Sequence, residues 1–213
     1  MQDYNLESVQ TFGLHARRYA EKYADLPDYD QYYDALLAAL PAQSCAVLDL
    51  ACGPGQVAAY LAARRPELDY WCVDRSAAML EQVLQRLPQA RCVQADCRDL
   101  QCLPEDLQFG AAAFCFGLSY LNEDDAARSL AELFRLLHSS APLLLSSVAG
   151  DAALSGVQVS AGGDRVHSFY RSAGQIAAMV RAAGFQILEQ ALIASPASAS
   201  QQTEDVVLLA RRL

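Results

Sequence analysis

Short apolar runs alternate with amphipathic segments between residues 46 and 184, and this alternation limits the possible folds most strongly. The strand-like runs cover residues 46–50, 70–73, 91–95, 111–116 and 143–148. The helix-like segments cover residues 56–65, 77–86, 124–138 and 172–183. Apolar runs without strict polar alternation are typical of strands covered on both faces, as in parallel sheets flanked by helices. The pattern therefore predicts right-handed crossovers and a doubly wound sheet.

Two later apolar runs, residues 185–194 and 206–210, are joined by a segment without a helical pattern. Since a parallel connection needs a crossover, these runs should pair as an antiparallel hairpin at one edge of the sheet. The predicted fold class is α/β. We expect a doubly wound, mostly parallel seven-stranded sheet with helices on both faces and an antiparallel C-terminal hairpin.

Two regions lie outside this alternation. Residues 1–45 contain a helical pattern that starts near Asp28, ends before Pro41 and places one set of side chains on one face, namely Tyr29, Tyr32, Tyr33, Leu36, Leu37 and Leu40. Residues 150–171 carry two strand-like segments around AGGD and predict an inserted hairpin. Ligands of open α/β sheets bind at the carboxyl ends of the strands. We therefore expect residues 1–45 to form a helical lid and residues 150–171 an inserted hairpin, both within one domain spanning residues 1–213.

Composition excludes several classes of function. The 213 residues fit one large domain, and 25 acidic against 16 basic residues argue against a dedicated nucleic-acid binder. No apolar run reaches the roughly 18 residues of a membrane span, and no secretory signal is visible, so a cytoplasmic location is expected. The seven cysteines are odd in number and lack a second Cys/His cluster. They predict reduced thiols, with neither a disulfide framework nor a metal site.

A glycine turn follows the first predicted strand. Asp49 ends the strand, Gly53 and Gly55 lie in the turn, and Gln56 opens a helix. Glycines allow a ligand to approach the backbone, and a helix N-terminus presents unpaired N–H groups. Dinucleotide-binding folds share such a turn, so the turn alone does not identify the ligand.

Two further carboxylates narrow the class of ligand that would bind at this turn. Asp74 and Asp96 end the second and third strands, in register with Asp49. A carboxylate at the end of the second strand suits a ribose diol. Because Asp49 and Asp96 would repel a pyrophosphate, they favour a ligand that carries an ammonium and a sulfonium.

At these residues the sequence resembles the class I S-adenosylmethionine-dependent methyltransferases. The resemblance lies in LDLACGPG, CVDRSAAML, QADC and FGAAAFCFGLSYLN, although Ala51 stands where many members have glycine and Gly110 replaces a common acidic residue. HARRYAEKYADL is similar to the N-terminal helix of the family, and FYRSAGQIAAMVRAAGFQIL to its late helix–strand unit.

The resemblance implies S-adenosyl-L-methionine as cofactor and S-adenosyl-L-homocysteine as product. By this resemblance Asp74 would bind the ribose hydroxyls, Met79 would pack near the adenine, and Asp96 would contact the adenine amino group. The implied cofactor-binding residues are Tyr19, Asp49, Ala51, Gly53, Gly55, Gln56, Asp74, Arg75, Met79, Asp96, Cys97, Cys115 and Phe116.

The expected activity is methyl transfer to a small-molecule acceptor by in-line displacement, with an O, N, S or C nucleophile left open. We expect the acceptor pocket to use residues 1–40, 116–122 and 150–171, with Tyr23, Tyr120 and Tyr170 as substrate contacts. The candidate catalytic residues are two possible bases, His15 and His167, and one lid residue, Tyr19. The fourth strand ends in CFGLSYLN, which does not resemble the segment used by amino-group methylases of nucleic-acid bases.

Expected partners are a small-molecule acceptor, with no nucleic acid and no membrane, and the chain would act as a monomer or homodimer. Three alternatives stay open at this point. The first is an NAD-dependent oxidoreductase on a similar fold, and the second is a non-catalytic S-adenosylmethionine-binding partner protein. The third is an RNA or protein methyltransferase that uses a local basic patch, for which Arg17 and Arg18 form the adjacent basic pair near the lid.

Overall fold

Seven strands form one sheet in the computed structural model, which describes residues 3–23, 26–160, 162–196 and 203–213. The strands are β1 (Ala46–Leu50), β2 (Asp69–Asp74), β3 (Arg91–Gln94), β4 (Ala111–Cys115), β5 (Pro142–Ala149), β8 (Phe185–Ala194) and β9 (Glu204–Arg212). Their order is β3-β2-β1-β4-β5-β9-β8, with parallel pairs from β3 through β5 and antiparallel pairs for β9 and β8. The predicted α/β fold, with its C-terminal hairpin, is confirmed. The link between the hairpin strands includes residues 197–202, which lie outside the described residues.

Helices cover both faces of this sheet. They are α1 (Tyr4–Leu14), α2 (Ala16–Lys22), α3 (Pro27–Ala39), α4 (Gln56–Ala62), α5 (Ala77–Arg86), α6 (Glu123–Leu136) and α7 (Ala173–Ala182). The sheet has a hydrophobic core on each face, and successive side chains of β1 point into different cores. Leu48 belongs to the core that contains Phe114 and Leu130, whereas Val47 belongs to the core that contains Leu61. The continuous apolar strand sequences follow from this double coverage. Within the described residues, every helix is too short or too polar to span a bilayer.

Several predicted boundaries move by one or two residues for local reasons. β4 stops at Cys115 because Phe116 adopts a left-handed conformation, with φ 64°, that a strand cannot contain. α6 begins after Asn122, whose side chain accepts the Asp125 N–H at 2.9 Å, and it ends at Leu136. His138, predicted as the last residue of this helix, therefore lies beyond it.

The N-terminal region forms three helices that lie against the sheet and the inserted hairpin. The helical pattern after Asp28 corresponds to α3, and the predicted insertion corresponds to an antiparallel pair of β6 (Gly156–Val159) and β7 (Arg165–Ser168). Helix α1, which the sequence did not reveal as a separate element, contacts this pair. Thr11 Oγ1 donates to the Arg165 carbonyl at 2.8 Å, and the His167 N–H donates to Ser8 Oγ at 2.9 Å.

Candidate functional site

The turn between β1 and α4 has the backbone conformation that the sequence predicted from its glycines. Gly53 and Gly55 have φ of 52° and 79°, in the left-handed region that favours glycine. A Cβ on Gly55 would lie 3.0 Å from Val83 Cγ2, so packing also excludes a side chain there. Ala51 has φ 49°, a rare conformation for a residue with a Cβ. The left-handed backbone at Ala51 fits the resemblance, since many family members have glycine at this position.

Asp49 lies beneath this turn and is almost completely buried, with 4% of its surface exposed. Its Oδ2 accepts the Ala58 N–H of α4 at 3.1 Å. Burial raises the pKa of Asp49 to about 8, because desolvation penalises the carboxylate more than this single hydrogen bond favours it. The carboxyl group of Asp49 therefore lies beside the first turn of α4 and occupies one of its N–H donors.

Asp74 joins the end of β2 to the same turn. Its Oδ2 accepts the Gly53 N–H at 2.9 Å and its Oδ1 accepts the Ser76 N–H at 2.8 Å. Burial raises the pKa of Asp74, and the backbone donors oppose this shift. The carboxylate is therefore held in a fixed orientation at the carboxyl ends of β1 and β2.

Asp96 follows β3 and belongs to an ion cluster. Arg98 donates to both of its carboxylate oxygens, from Nε to Oδ1 at 2.8 Å and from Nη2 to Oδ2 at 2.6 Å. Arg98 also donates to Asp3, the N-cap of α1, at 2.8 Å, and to Asp125 at 3.0 Å. Burial would raise the pKa of Asp96, but the Arg98 guanidinium holds that pKa below its ordinary value. Through these ion pairs the cluster holds the N-terminus of α1 against the carboxyl ends of β2 and β3.

A cavity of about 750 Å³, including its open mouth, lies at the ends of β1–β4, and we call it the strand-end cavity. It brings together most of the residues that the resemblance assigns to the cofactor: Tyr19, Ala51, Gly53, Asp74, Arg75, Met79, Asp96, Cys97, Cys115 and Phe116. Helix α1 supplies Asn5, Ser8, Val9 and Phe12 to its wall. The sequence analysis missed these four contacts, because helix α1 carries no strong amphipathic pattern.

A second cavity, of about 1240 Å³ with its open mouth, lies beside the first, and we call it the tyrosine cavity. It contains all three tyrosines predicted to contact the substrate, together with two further cofactor candidates: Tyr23, Tyr120, Tyr170, Asp49 and Gln56. The two cavities share lining residues from α2, the β1–α4 turn and the end of β4: Tyr19, Ala51, Gly53, Cys115, Phe116 and Tyr120. The cavities therefore meet at the carboxyl ends of β1 and β4, where Phe116 has its left-handed backbone.

Three of the predicted site residues lie elsewhere. Gly55 lines neither cavity and instead packs against Val83. His15 and His167 also lie outside both linings, because they join α1 and α2 to the inserted hairpin. His15 Nε2 lies 2.9 Å from Asp164 Oδ1, and the His167 ring packs against the Tyr4 ring with centres 5.9 Å apart. The structure thus places these histidines in contacts between secondary-structure elements.

The sequence analysis also missed Asp205, which borders the tyrosine cavity from β9 with 1% of its surface exposed. Its signal was present in the sequence EDVVLLA, since a carboxylate inside an otherwise apolar strand is costly unless it has a partner. Among the described residues, we find no group of three or more His, Cys, Asp or Glu side chains that could hold a metal ion.

Comparisons with known proteins give a family match over the cofactor half of the sheet. Residues 47–140 match the family described as methyltransferase domain. The chain is 39% identical over 112 residues to trans-aconitate 2-methyltransferase of Azoarcus sp. strain BH72, covering 52% of this chain and 42% of that protein. It is 35% identical over 99 residues to demethylmenaquinone methyltransferase of Chlamydia pneumoniae, covering 46% of this chain and 41% of that protein. The chain therefore spans less than half the length of these curated relatives.

Solved structures match the fold over nearly the whole chain. Magnesium protoporphyrin IX methyltransferase from Synechocystis PCC 6803, with bound S-adenosylmethionine, has a TM-score of 0.73 at 16% identity, covering 100% of this chain and 99% of that one. The 1,6-didemethyltoxoflavin-N1-methyltransferase of Burkholderia thailandensis has a TM-score of 0.71 at 17% identity, covering 98% of this chain and 88% of that one. At these identities, the likeness establishes the fold.

Proposed function

From the premise that the chain belongs to the class I S-adenosylmethionine-dependent methyltransferases, we propose that it transfers a methyl group from S-adenosylmethionine to a small-molecule acceptor. The observation that supports this proposal most strongly is the meeting of two cavities at the carboxyl ends of β1 and β4. The first holds the side chains suited to the cofactor, and the second offers separate space for an acceptor.

The donor set of the strand-end cavity fits S-adenosylmethionine. Asp74 offers fixed carboxylate oxygens to the ribose hydroxyls, and Asp96 offers an acceptor to the adenine amino group. Met79 and Cys97 supply apolar surface for the base. Asp49, which lines the neighbouring tyrosine cavity, presents a carboxyl group toward the cationic end of the cofactor, and a bound cation would favour the ionised form of that group.

The same geometry disfavours the nicotinamide alternative. A dinucleotide fold uses the N–H groups of the glycine turn and helix N-terminus for the pyrophosphate. In this chain, the Gly53 N–H donates to Asp74, the Gly55 N–H to the Cys52 carbonyl and the Ala58 N–H to Asp49. A pyrophosphate here would lose these donors and face two carboxylates.

The chain's own residues would act mainly by orientation and by exclusion of water. S-adenosylmethionine, when bound, supplies the methyl group on an activated sulfonium, so alignment of donor and acceptor provides much of the rate enhancement. Tyr19 lies between the two cavities, and burial raises its pKa well above the ordinary value. A phenol of this kind stays neutral at physiological pH. We therefore propose that Tyr19 forms a wall and hydrogen-bond partner where the cavities meet.

The size of the tyrosine cavity disfavours a non-catalytic binding protein. Such a protein would show an acceptor space filled by Phe12 or by tyrosine side chains, but about 1240 Å³ stays open, including the mouth. We propose that α1, α2 and the β6–β7 hairpin form the cover of these cavities. The contacts of Thr11 and Ser8 with the hairpin support this cover.

The tricarboxylate named for one relative does not suit the lining of the tyrosine cavity. Trans-aconitate is a tricarboxylate, and a site for it needs cationic partners. Among the described residues that line the tyrosine cavity there is no arginine, lysine or histidine, whereas Asp49 and Asp205 are both present. We propose an acceptor that is neutral or cationic and that packs against aromatic side chains.

Titration calorimetry with S-adenosylmethionine, S-adenosylhomocysteine and NAD tests the cofactor assignment. We expect both S-adenosyl ligands to bind and NAD to give no heat. Asp74→Ala should weaken S-adenosylhomocysteine binding by about 100-fold, the equivalent of two hydrogen bonds to a charged group. Asp69→Ala is the matched control, since Asp69 begins the same strand and pairs with Arg91 on the surface. Binding of NAD without binding of S-adenosylhomocysteine would replace this proposal by the oxidoreductase.

A further inference from the structure

Asp205 is a buried carboxylate that no step of the proposed transfer uses. It lies in β9 between Val148 of β5 and Ile193 of β8, with 1% of its surface exposed. Its Oδ2 accepts the Tyr29 O–H, and its Oδ1 has no hydrogen-bond partner among the described residues. One face of this carboxylate therefore lacks the donor that a buried acceptor normally has.

This arrangement costs folding free energy. A buried carboxylate pays a desolvation penalty of several kcal/mol, and a single neutral donor does not offset it. If the only role of the pair were to tie α3 to β9, a neutral side chain could accept the same Tyr29 O–H without that penalty. The unpartnered oxygen leaves this carboxyl group available for a second role, and its position suggests one because Asp205 borders the tyrosine cavity.

The charges around the tyrosine cavity indicate what kind of group would complete the hydrogen bonding of Asp205. Asp49 and Asp205 place two carboxyl groups at this cavity, and its described lining contains no cationic side chain. Lys22, whose Nζ lies 4.9 Å from the centre of the Tyr23 ring, is not part of the lining. An acceptor bearing a carboxylate or phosphate would find no cationic partner here, whereas an N–H or O–H donor could bond to the unpartnered Asp205 oxygen.

We propose that Asp205, oriented by Tyr29, is the residue that recognises the acceptor, and that it binds an N–H or O–H group with an amine favoured over a hydroxyl. This inference rests on the proposed function, because it assigns chemistry to the acceptor side of the same site. The aromatic lining then packs against the body of the acceptor, and an ammonium gains further stabilisation from the tyrosine faces. The substrate class is an amine-bearing small molecule that contains an apolar or aromatic group.

Three small probes of similar shape test this inference on the full chain loaded with S-adenosylhomocysteine. Phenethylamine carries an ammonium, 2-phenylethanol a neutral hydroxyl and phenylacetate a carboxylate. Ligand-observed NMR titration should rank the amine first, the alcohol second and the carboxylate last, with at least a roughly ten-fold difference between the two charged probes. Equal affinities, tighter binding of phenylacetate, or no measurable binding of any probe would overturn the inference.

Variants of Asp205 and Tyr29 separate recognition of the acceptor from a structural role of the pair. Asp205→Asn should weaken phenethylamine binding about ten-fold or more, whereas Tyr29→Phe removes only the donor that orients the carboxyl group and should weaken binding less than Asp205→Asn. Glu204→Gln is the matched control, because it removes the same charge from the exposed neighbouring position of β9. Wild-type phenethylamine affinity in Asp205→Asn would contradict the inference.

S-adenosylhomocysteine affinity, measured in the same samples, reports the cofactor site separately. We expect it to stay within about two-fold of the wild-type value in all three variants, since none of the substituted residues lines the strand-end cavity. Loss of this binding in the wild-type chain would refute the proposed function, whereas loss of the amine preference alone would refute only the role of Asp205. If Asp205→Asn does not fold, the ranking of the three probes on the wild-type chain decides the question.

Discussion

Replacing Asp49 by asparagine should make the stability of the ligand-free protein less dependent on pH. Asp49 is buried beneath the β1–α4 turn, and burial raises its pKa to about 8 from the ordinary aspartate value of 3.8. Between these two pH values the folded protein holds a proton on Asp49 that the unfolded chain has released. Stability therefore falls as pH rises through this window, because folding requires uptake of that proton.

The size of the effect follows from the proton count. One additional proton bound by the folded state changes the free energy of unfolding by about 1.4 kcal/mol per pH unit. From pH 5 to pH 7 the wild-type chain should lose about 2.7 kcal/mol through Asp49 alone, and an asparagine cannot contribute this loss. The asparagine amide oxygen can still accept the Ala58 N–H, so the substitution keeps this hydrogen bond while it removes the titrating group.

Other shifted carboxyl groups leave this difference largely unchanged. Burial also raises the pKa values of Asp74 and Asp205, but both groups are present in both proteins. Arg98 lowers the pKa of Asp3, and it holds that of Asp96 low against the effect of burial. The stability that these two groups contribute is lost only as pH falls below about 4, outside the window that is measured.

Urea unfolding of both proteins at pH 5, 6 and 7 measures the effect directly. The stability of the variant relative to the wild type should rise by about 2.7 kcal/mol between pH 5 and pH 7. Asp69→Asn, which changes a surface carboxylate paired with Arg91, should run parallel to the wild type. Parallel curves for Asp49→Asn would refute the assignment of a raised pKa to this buried group.

Two further substitutions test the turn and the cover of the site. Gly55→Ala should destabilise the chain by about 2–3 kcal/mol in urea unfolding, because it combines left-handed backbone strain with the contact to Val83. Gly53→Ala carries the backbone strain without a close contact and should cost about 1 kcal/mol, so equal losses would contradict the packing argument. Arg98→Met should increase hydrogen exchange in α1 about ten-fold or more while exchange in β4 stays unchanged, because Arg98 holds the α1 N-cap. Arg17→Met, which affects an exposed pair within α2, should leave both unchanged.

The central sheet could be predicted from sequence because its signals are local. The inner strands β1, β4 and β5 are short apolar runs that are largely buried on both faces. Residues 46–50 and 185–194 were predicted with the bounds that the structure shows. The glycine turn was equally predictable, because left-handed backbone favours glycine at both Gly53 and Gly55, and a side chain on Gly55 would also crowd Val83. The strand-end cavity follows from these elements, since parallel strands bring their carboxyl ends to one edge.

The cover of the site could not be predicted in the same way. Helix α1 contributes Asn5, Ser8 and Phe12 to the strand-end cavity, but its contacts reach residues more than a hundred positions away. A weakly amphipathic helix does not reveal which sheet edge it will cover. The two histidines were chosen as candidate bases from residue type alone, and the structure places them in contacts with Asp164 and Tyr4.

The residues proposed for the cofactor (the cofactor half of the site) and those proposed for the acceptor (the acceptor half) come from different parts of the chain. Sequence similarity to a relative can therefore cover one half without the other. The cofactor half is built mainly within residues 47–140, the range that matches the methyltransferase domain. The proposed acceptor half draws on Tyr23 after α2 and Tyr33 in α3 before that range, and on Tyr170 after β7 and Asp205 in β9 beyond it. Relatives that match over about half of this chain can therefore share the cofactor chemistry and differ in acceptor. The charges of the tyrosine cavity are the more direct guide to the acceptor, and they favour a hydrogen-bond donor.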